Sequence, residues 1–370
     1  ISSILFNCYY FMGVFYYLSN LSGHIPLMVR IIQFFGVLLF IMEILYLRMN
    51  KHFNRIQYIS IYLLVLLFGS ILSGIYQSNP LNFLIVFNIL GFYGTALYFI
   101  RQDKDIIIIK ISLIVSVSLF VYYFLLSMHP MQWVTHSQNH VSVVIIFIST
   151  IYYLNKINQR EDSLSYIPAL IALIVSIFSY GRSGIIASSI ILIGLVVHQT
   201  IAKISIKNIV FTLFLFTVMA IVVDHYYFYI TLALNKFYVD GMESTARIEI
   251  FQYWSREINY FPSLAFGVDL SLLKSSHSLS SHNSFLTLHS RFGISFVLII
   301  INIFSIIMIG FKKNMFIVFL FLAILMRSFT DNILIGSGFL FGVLFFCILL
   351  MVKNLNTKRK VLYPLVQLIS

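Results

Sequence analysis

The chain has 370 residues, of which 60% are hydrophobic, 17% aromatic and only 10% charged. So few charges cannot coat a water-soluble domain of this length, which excludes a soluble globular enzyme and marks a polytopic membrane protein. The net charge of +12 would suggest nucleic acid in a soluble protein, but the basic residues fall in short loops between apolar runs, where they set orientation; no nucleic-acid partner is expected.

The chain opens on Ile1, so the N-terminus is expected to be trimmed, with residues 4–18 reading as the rest of a first span rather than a cleavable signal. Apolar runs of roughly 17–25 residues fall near 3–18, 25–47, 56–76, 81–100, 106–127, 140–154, 164–180, 183–199, 208–229, 283–310, 314–330 and 333–352. The runs at 140–154 and 314–330 give the weakest signals, being short or interrupted. Cys8 and Cys347 both fall inside apolar spans and read as packing residues. The expected fold is an all-α polytopic membrane protein of about twelve transmembrane helices, a single domain over 1–370 with one large external loop at 230–282.

The loops sort by charge. One set carries Arg48, Lys51 and Arg55; Arg101, Lys104 and Lys110; Lys156 and Arg160; Lys203 and Lys207; Lys312 and Lys313; and Lys353, Lys358, Arg359 and Lys360. The alternate loops at 77–80 and 128–139 contain neither Lys nor Arg. The positive-inside rule makes the first set cytoplasmic, puts both termini inside and turns 230–282 outward. Left over on the outer side are Arg30, Arg182, Lys236, Arg247, Arg256, Lys274, Arg291 and Arg327. Arginine predominates there, and its planar fork binds phosphate oxygens and keeps its charge when desolvated. Each could instead pair with an outer acid; Arg327 and Asp331, at i and i+4, suit such a structural pair.

Three stretches could carry chemistry. In Tyr180-Gly181-Arg182-Ser183-Gly184 an Arg begins a helix, where the dipole disfavours a cation unless an anion binds; the plainer reading is a turn whose Arg reaches lipid headgroups. Ser244 or Thr245 can cap a helix running to about Tyr260 and stopping before Pro262. It would place Arg247, Phe251, Trp254 and Ile258 on one amphipathic face at the membrane surface or over a cavity. Ser281-His282-Asn283 opens the next span, with His289 seven residues on, sharing a helix face at its outer end. A neutral His there can take a proton from an attacking hydroxyl, or simply make interfacial hydrogen bonds. His277, His282 and His289 lack a carboxylate pattern for a metal, and there is no phosphate-binding glycine loop, nucleophile elbow or CxxC pair.

Order and sidedness together resemble the O-antigen ligase/polymerase superfamily of envelope glycan assembly. The loop pattern of Arg, aromatic amphipathic helix, Pro and Gly-x-Asp corresponds to Arg247-IEIFQYW, Pro262 and Gly267-Val268-Asp269. The His-Asn, nine residues, Gly element of ligases matches His282-Asn283 and Gly293, and the outer Arg of the mid-chain helix matches Arg182. Ile186 stands where ligases usually have Leu, and Phe296 where they favour Tyr or a small residue. These departures favour a polymerase of the Wzy type over a ligase. The spacing of Arg256 and Gly267 is also similar to polymerase loop motifs.

The resemblance implies metal-independent, inverting glycosyl transfer without a cofactor, on the outer face of a bacterial inner (cytoplasmic) membrane. Donor and acceptor would be undecaprenyl-pyrophosphate-linked glycans, with membrane lipid and a chain-length regulator protein as further partners. Arg182 and Arg247 would hold the pyrophosphate, His282 would deprotonate or orient the acceptor hydroxyl, and Asn283 would hold substrate or loop. Arg256, Arg291, Arg327 and His289 are further substrate-binding candidates. Ligation of finished O-antigen to lipid A-core is the close alternative. A polysaccharide flippase or other transporter is the alternative of a different class, and should carry ionisable residues near mid-membrane.

Overall fold

In the computed structural model, the described residues are 1–18, 25–50, 53–79, 81–102, 106–126, 138–161, 163–179, 182–202, 245–270, 283–330 and 341–352. Among them there is no strand. The helices are α1 (Ser2–Leu18), α2 (Ile25–Met49), α3 (Phe53–Tyr76), α4 (Leu81–Arg101), α5 (Ile107–Leu125), α6 (Gln138–Asn158), α7 (Ile167–Phe178), α8 (Arg182–Ala202), α9 (Thr245–Glu257), α10 (Phe261–Phe266), α11 (Ser284–Phe292), α12 (Phe296–Lys313), α13 (Met315–Thr330) and α14 (Phe341–Val352). Among the described residues six stretches are long and apolar enough to cross a bilayer: Leu27–Met49, Leu84–Arg101, Ile107–Leu125, His140–Asn158, Arg182–Thr200 and Ser284–Lys313. The chain is a multi-pass, all-α membrane protein. The span expected at 208–229 lies outside the described residues.

The two weakest apolar signals belong to interior helices. Residues 141–151 of α6 are buried without a break, and α13 buries Phe316 through Val318, Leu320, Phe321 and most of the following two turns. An interior helix can carry Ser142, Ser149 and Thr150, all fully buried, because neighbouring helices rather than lipid surround it. By contrast, α5 shows Ile107, Ile111, Ile114, Val115, Val121 and Leu125 at the surface, the pattern of a helix bathed in hydrocarbon. Small residues set the closest crossings. A Cβ on Gly36 would meet the Gly91 Cα at 2.8 Å, and one on Gly94 the Phe40 backbone nitrogen at 2.6 Å, so α2 and α4 lie backbone to backbone.

Contacts sort the helix ends into two sides. On one, Glu43 near the end of α2 accepts from Arg101 Nη2 at 2.7 Å and Nε at 3.1 Å at the end of α4. Asn158 Nδ2 at the end of α6 donates to the Gln102 carbonyl at 2.8 Å. His198 near the end of α8 stacks on Phe316 at the start of α13, with centroids 5.6 Å apart. Arg48, Arg101, Lys156, Lys312 and Lys313 all lie in the last turns of helices that end on this side. On the other side are the starts of α8 and α11, the ends of α3 and α13, and the loop helices α9 and α10.

Two expectations need correction. Pro262 does not merely stop the loop helix: α9 ends at Glu257, and Pro262 sits in the first turn of α10, where its missing N–H costs nothing. The run at 283–310 is not one helix. It breaks at Gly293, whose φ of +52° ends α11, and resumes as α12 after a 3₁₀ turn over Gly293–Ser295.

Candidate functional site

The loop seats on the bundle through α11. Asn283 begins it in an extended conformation, and its Oδ1 accepts the N–H groups of Phe285 at 2.9 Å and Leu286 at 3.3 Å. This is helix capping, which satisfies donors the first turn leaves open. The Nδ2 amide is then the part of Asn283 left to meet a ligand.

One turn and a half later, His289 is 4% exposed and binds protein through both ring nitrogens. Trp254 Nε1 of α9 lies 3.1 Å from Nδ1, and the Leu264 carbonyl of α10 lies 3.1 Å from Nε2. An indole N–H can only donate and a carbonyl can only accept, so Nδ1 accepts and Nε2 carries the proton: the ring is neutral in one tautomer. Expected to touch substrate, His289 instead clamps α9 and α10 to α11. The buried line of α9 accordingly runs through Ile250, 6% exposed, and the half-buried Trp254, while Phe251 stacks on Trp254 from the rim with 55% of its surface exposed.

Backbone contact completes the seat. Gly267 has φ +96°, and a Cβ there would meet the carbonyls of His289 and Ser290, each at 2.5 Å. A Cβ on Gly293 would run into the Ala265 carbonyl and meet the Phe266 Cα at 2.8 Å. The two motif glycines therefore bring loop and span together backbone to backbone. From the end of α3, Gln77 Nε2 donates to the Gly267 carbonyl at 3.1 Å and the Ser290 carbonyl at 2.6 Å, while Ser73 Oγ donates to the Ser290 carbonyl at 2.8 Å. Gln77 and Ser73 escaped the sequence reading; the one signal was a neutral polar residue closing a span. The indole N–H of Trp254, which needs an acceptor once buried, was a legible hint of the His289 clamp.

The cations divide. Arg327, 0% exposed near the end of α13, donates through Nη1 to Ser183 Oγ, next to Arg182 at the start of α8. Phe329, two residues beyond, packs on Phe285 of α11 with centroids 4.6 Å apart. Thus the starts of α8 and α11 converge on the end of α13, bringing Arg182, Arg327 and Asn283 onto one side of the bundle. Asp331, the expected partner of Arg327, lies outside the described residues. Arg182 is half-buried, as is Arg291 in the last turn of α11. Arg256 is exposed in the last turn of α9 and joins none of these contacts. Arg247 is in the first turn of α9, with its side chain outside the described residues; His282, Lys236 and Lys274 lie wholly outside them. Among the described residues no three His, Cys, Asp or Glu gather as a metal site.

No family model, curated protein or solved structure matches the chain.

The clamp makes a direct prediction. His289→Phe keeps the ring but strands a Trp254 donor and a Leu264 acceptor, a loss of about 2–3 kcal/mol of loop docking. Trp254→Phe removes one bond and should lose about 1 kcal/mol. Limited proteolysis of residues 245–270 in membranes should accelerate more for His289→Phe than for Trp254→Phe. Native protection in both would mean that the clamp does not hold the loop.

Proposed function

We propose that this protein is a surface-polysaccharide polymerase, joining lipid-linked repeat units on the outer face of a bacterial cytoplasmic membrane. The proposal includes about twelve spans, cytoplasmic termini and an outward-facing loop. The supporting observation is the convergence of three motif segments far apart in sequence: Gly267 against the α11 backbone, Gly293 against α10, and Arg327 on Ser183 beside Arg182. In this reading the arginines at the junction would suit a diphosphate and the loop over it an acceptor glycan.

In the proposed reaction the acceptor hydroxyl oxygen attacks the anomeric carbon of the donor glycan. The bond from that carbon to the diphosphate oxygen breaks, and undecaprenyl pyrophosphate leaves with inversion. His282 takes the hydroxyl proton, Arg182 and Arg247 stabilise the charge growing on the leaving group, and Arg327 adds its charge to theirs. Asn283 offers its Nδ2 to the glycan.

Surface-glycan banding in cells lacking the gene tests this, with complementation by wild type, Arg182→Ala, Arg247→Ala or His282→Ala at matched membrane levels. Lipid A-core carrying a single repeat unit in the deletion, reproduced by all three variants, is the expected result. Long polymer stranded on undecaprenyl pyrophosphate with bare core would identify a ligase instead. Normal banding in all three variants would remove the proposed site and favour a transporter.

A further inference from the structure

We propose that Arg30, held by Gln33 and Asn88, is a binding site for the phosphate of an anionic phospholipid on the lipid-facing surface of the bundle. Arg30, Gln33 and Asn88 take no part in the junction above; they sit where α2 packs against α4. The inference needs only that α2 crosses the membrane, and it stands whether or not the protein transfers sugars.

Exposure along α2 follows the helical repeat. Leu27, Arg30, Phe34, Ile41 and Leu45 form one exposed stripe, and its apolar members are 62%, 60%, 46% and 46% exposed at Leu27, Phe34, Ile41 and Leu45. Arg30 is the one charge in that set. It lies five residues into a helix beginning at Ile25, about 7–8 Å along the axis. An arginine at such depth ordinarily snorkels back toward the near helix end, the direction in which its Cα–Cβ bond already tilts. Here Nη1 donates at 3.0 Å to Oε1 of Gln33, which lies farther along α2. Gln33 is itself fixed, because its Nε2 donates at 3.0 Å to Asn88 Oδ1 of α4 and reaches the Leu84 carbonyl at 3.5 Å.

Both amides are 8% exposed. A buried pair of side-chain amides thus orients a single oxygen toward a guanidinium on the lipid face. Of the five N–H groups of that guanidinium, the relay engages one. The ion pairs of Arg101 with Glu43 and of Lys156 with Glu161 lie elsewhere and do not involve Arg30. A cation held in this setting, with a neutral acceptor and spare planar donors, matches a phosphate with two free oxygens. The surrounding stripe is where acyl chains lie, so the phosphate belongs to a lipid of the bilayer.

The test uses the full chain in mild detergent, with bound lipid counted by native mass spectrometry during titration with phosphatidylglycerol or phosphatidylcholine. Wild type, Arg30→Gln and Gln33→Leu are compared. Retained phosphatidylglycerol should fall roughly tenfold in Arg30→Gln, the scale of one lost charge-assisted contact, and less in Gln33→Leu, which frees the guanidinium without removing it. Phosphatidylcholine binding should be weaker in wild type and unchanged in the variants, and millimolar inorganic phosphate should not displace the lipid. The proposal is overturned if Arg30→Gln retains phosphatidylglycerol as wild type does. Equal wild-type retention of both lipids would equally overturn it, since that describes a belt without charge recognition. Displacement by inorganic phosphate would assign the site to a soluble anion instead. The wild-type comparisons decide between these outcomes even if a variant fails to fold.

Discussion

Replacing Gly293 with alanine is expected to detach the loop helices while leaving the protein in the membrane and, if the proposed function holds, to abolish polymer formation. Gly293 holds φ +52° and ψ −139°, a region that L-residues enter at a cost of about 1–3 kcal/mol. Its new Cβ would also meet the Ala265 carbonyl and the Phe266 Cα, backbone atoms that cannot swing aside as a side chain does. Strain and overpacking together should remove on the order of 3–5 kcal/mol of docking energy. Gly310→Ala is the control away from the seat: its Cβ meets a Val318 side-chain methyl at 2.8 Å rather than backbone, and no positive φ adds strain. Glycan banding and protease protection of residues 245–270 should both fail in Gly293→Ala and survive in Gly310→Ala. Unchanged protection in Gly293→Ala would mean the glycine contact does not hold the loop.

Replacing Arg327 with methionine is expected to separate stability from function. A buried charge costs desolvation, which an apolar residue of similar length avoids, while the Ser183 hydroxyl loses a donor at a cost of about 1 kcal/mol. If Arg327 serves only to hold neighbouring groups such as Ser183, Arg327→Met should fold and work. If its charge supports a departing diphosphate, activity should fall by about a hundredfold or more with the thermal midpoint kept, because the lost interaction grows in the transition state. We expect the second result, with Ser183→Ala showing a much smaller loss. A fully active Arg327→Met would be the evidence that the buried guanidinium is structural alone.

What could be read from sequence was whatever depends on composition and period. Sixty per cent hydrophobic residues and 10% charged ones leave a chain of this length no aqueous fold. The apolar runs therefore located α1 to α8, α13 and the end of α14 to within a few residues, and the clustering of Arg48, Arg101, Lys156, Lys312 and Lys313 at one side followed from loop charge. Motif reading found Gly267, Gly293, Asn283 and Arg182, because each stands at a helix terminus, where residue type is restricted by local backbone chemistry.

Tertiary structure alone decided how those pieces meet. Nothing in a hydropathy pattern says that Gly267 meets the carbonyls of His289 and Ser290, that Gln77 bonds a carbonyl 213 positions away, or that Arg327 finds Ser183 across 144. Nor could it tell a substrate-binding histidine from a clamp: both ring nitrogens of His289 are taken up, by Trp254 and Leu264. The break at Gly293 was equally hidden, since an apolar run specifies burial but not straightness. Helix existence is a local property of side chains against lipid, readable in order along the chain. Site chemistry depends on donors and acceptors that only packing brings within 3 Å of each other, and that distance is set by the fold.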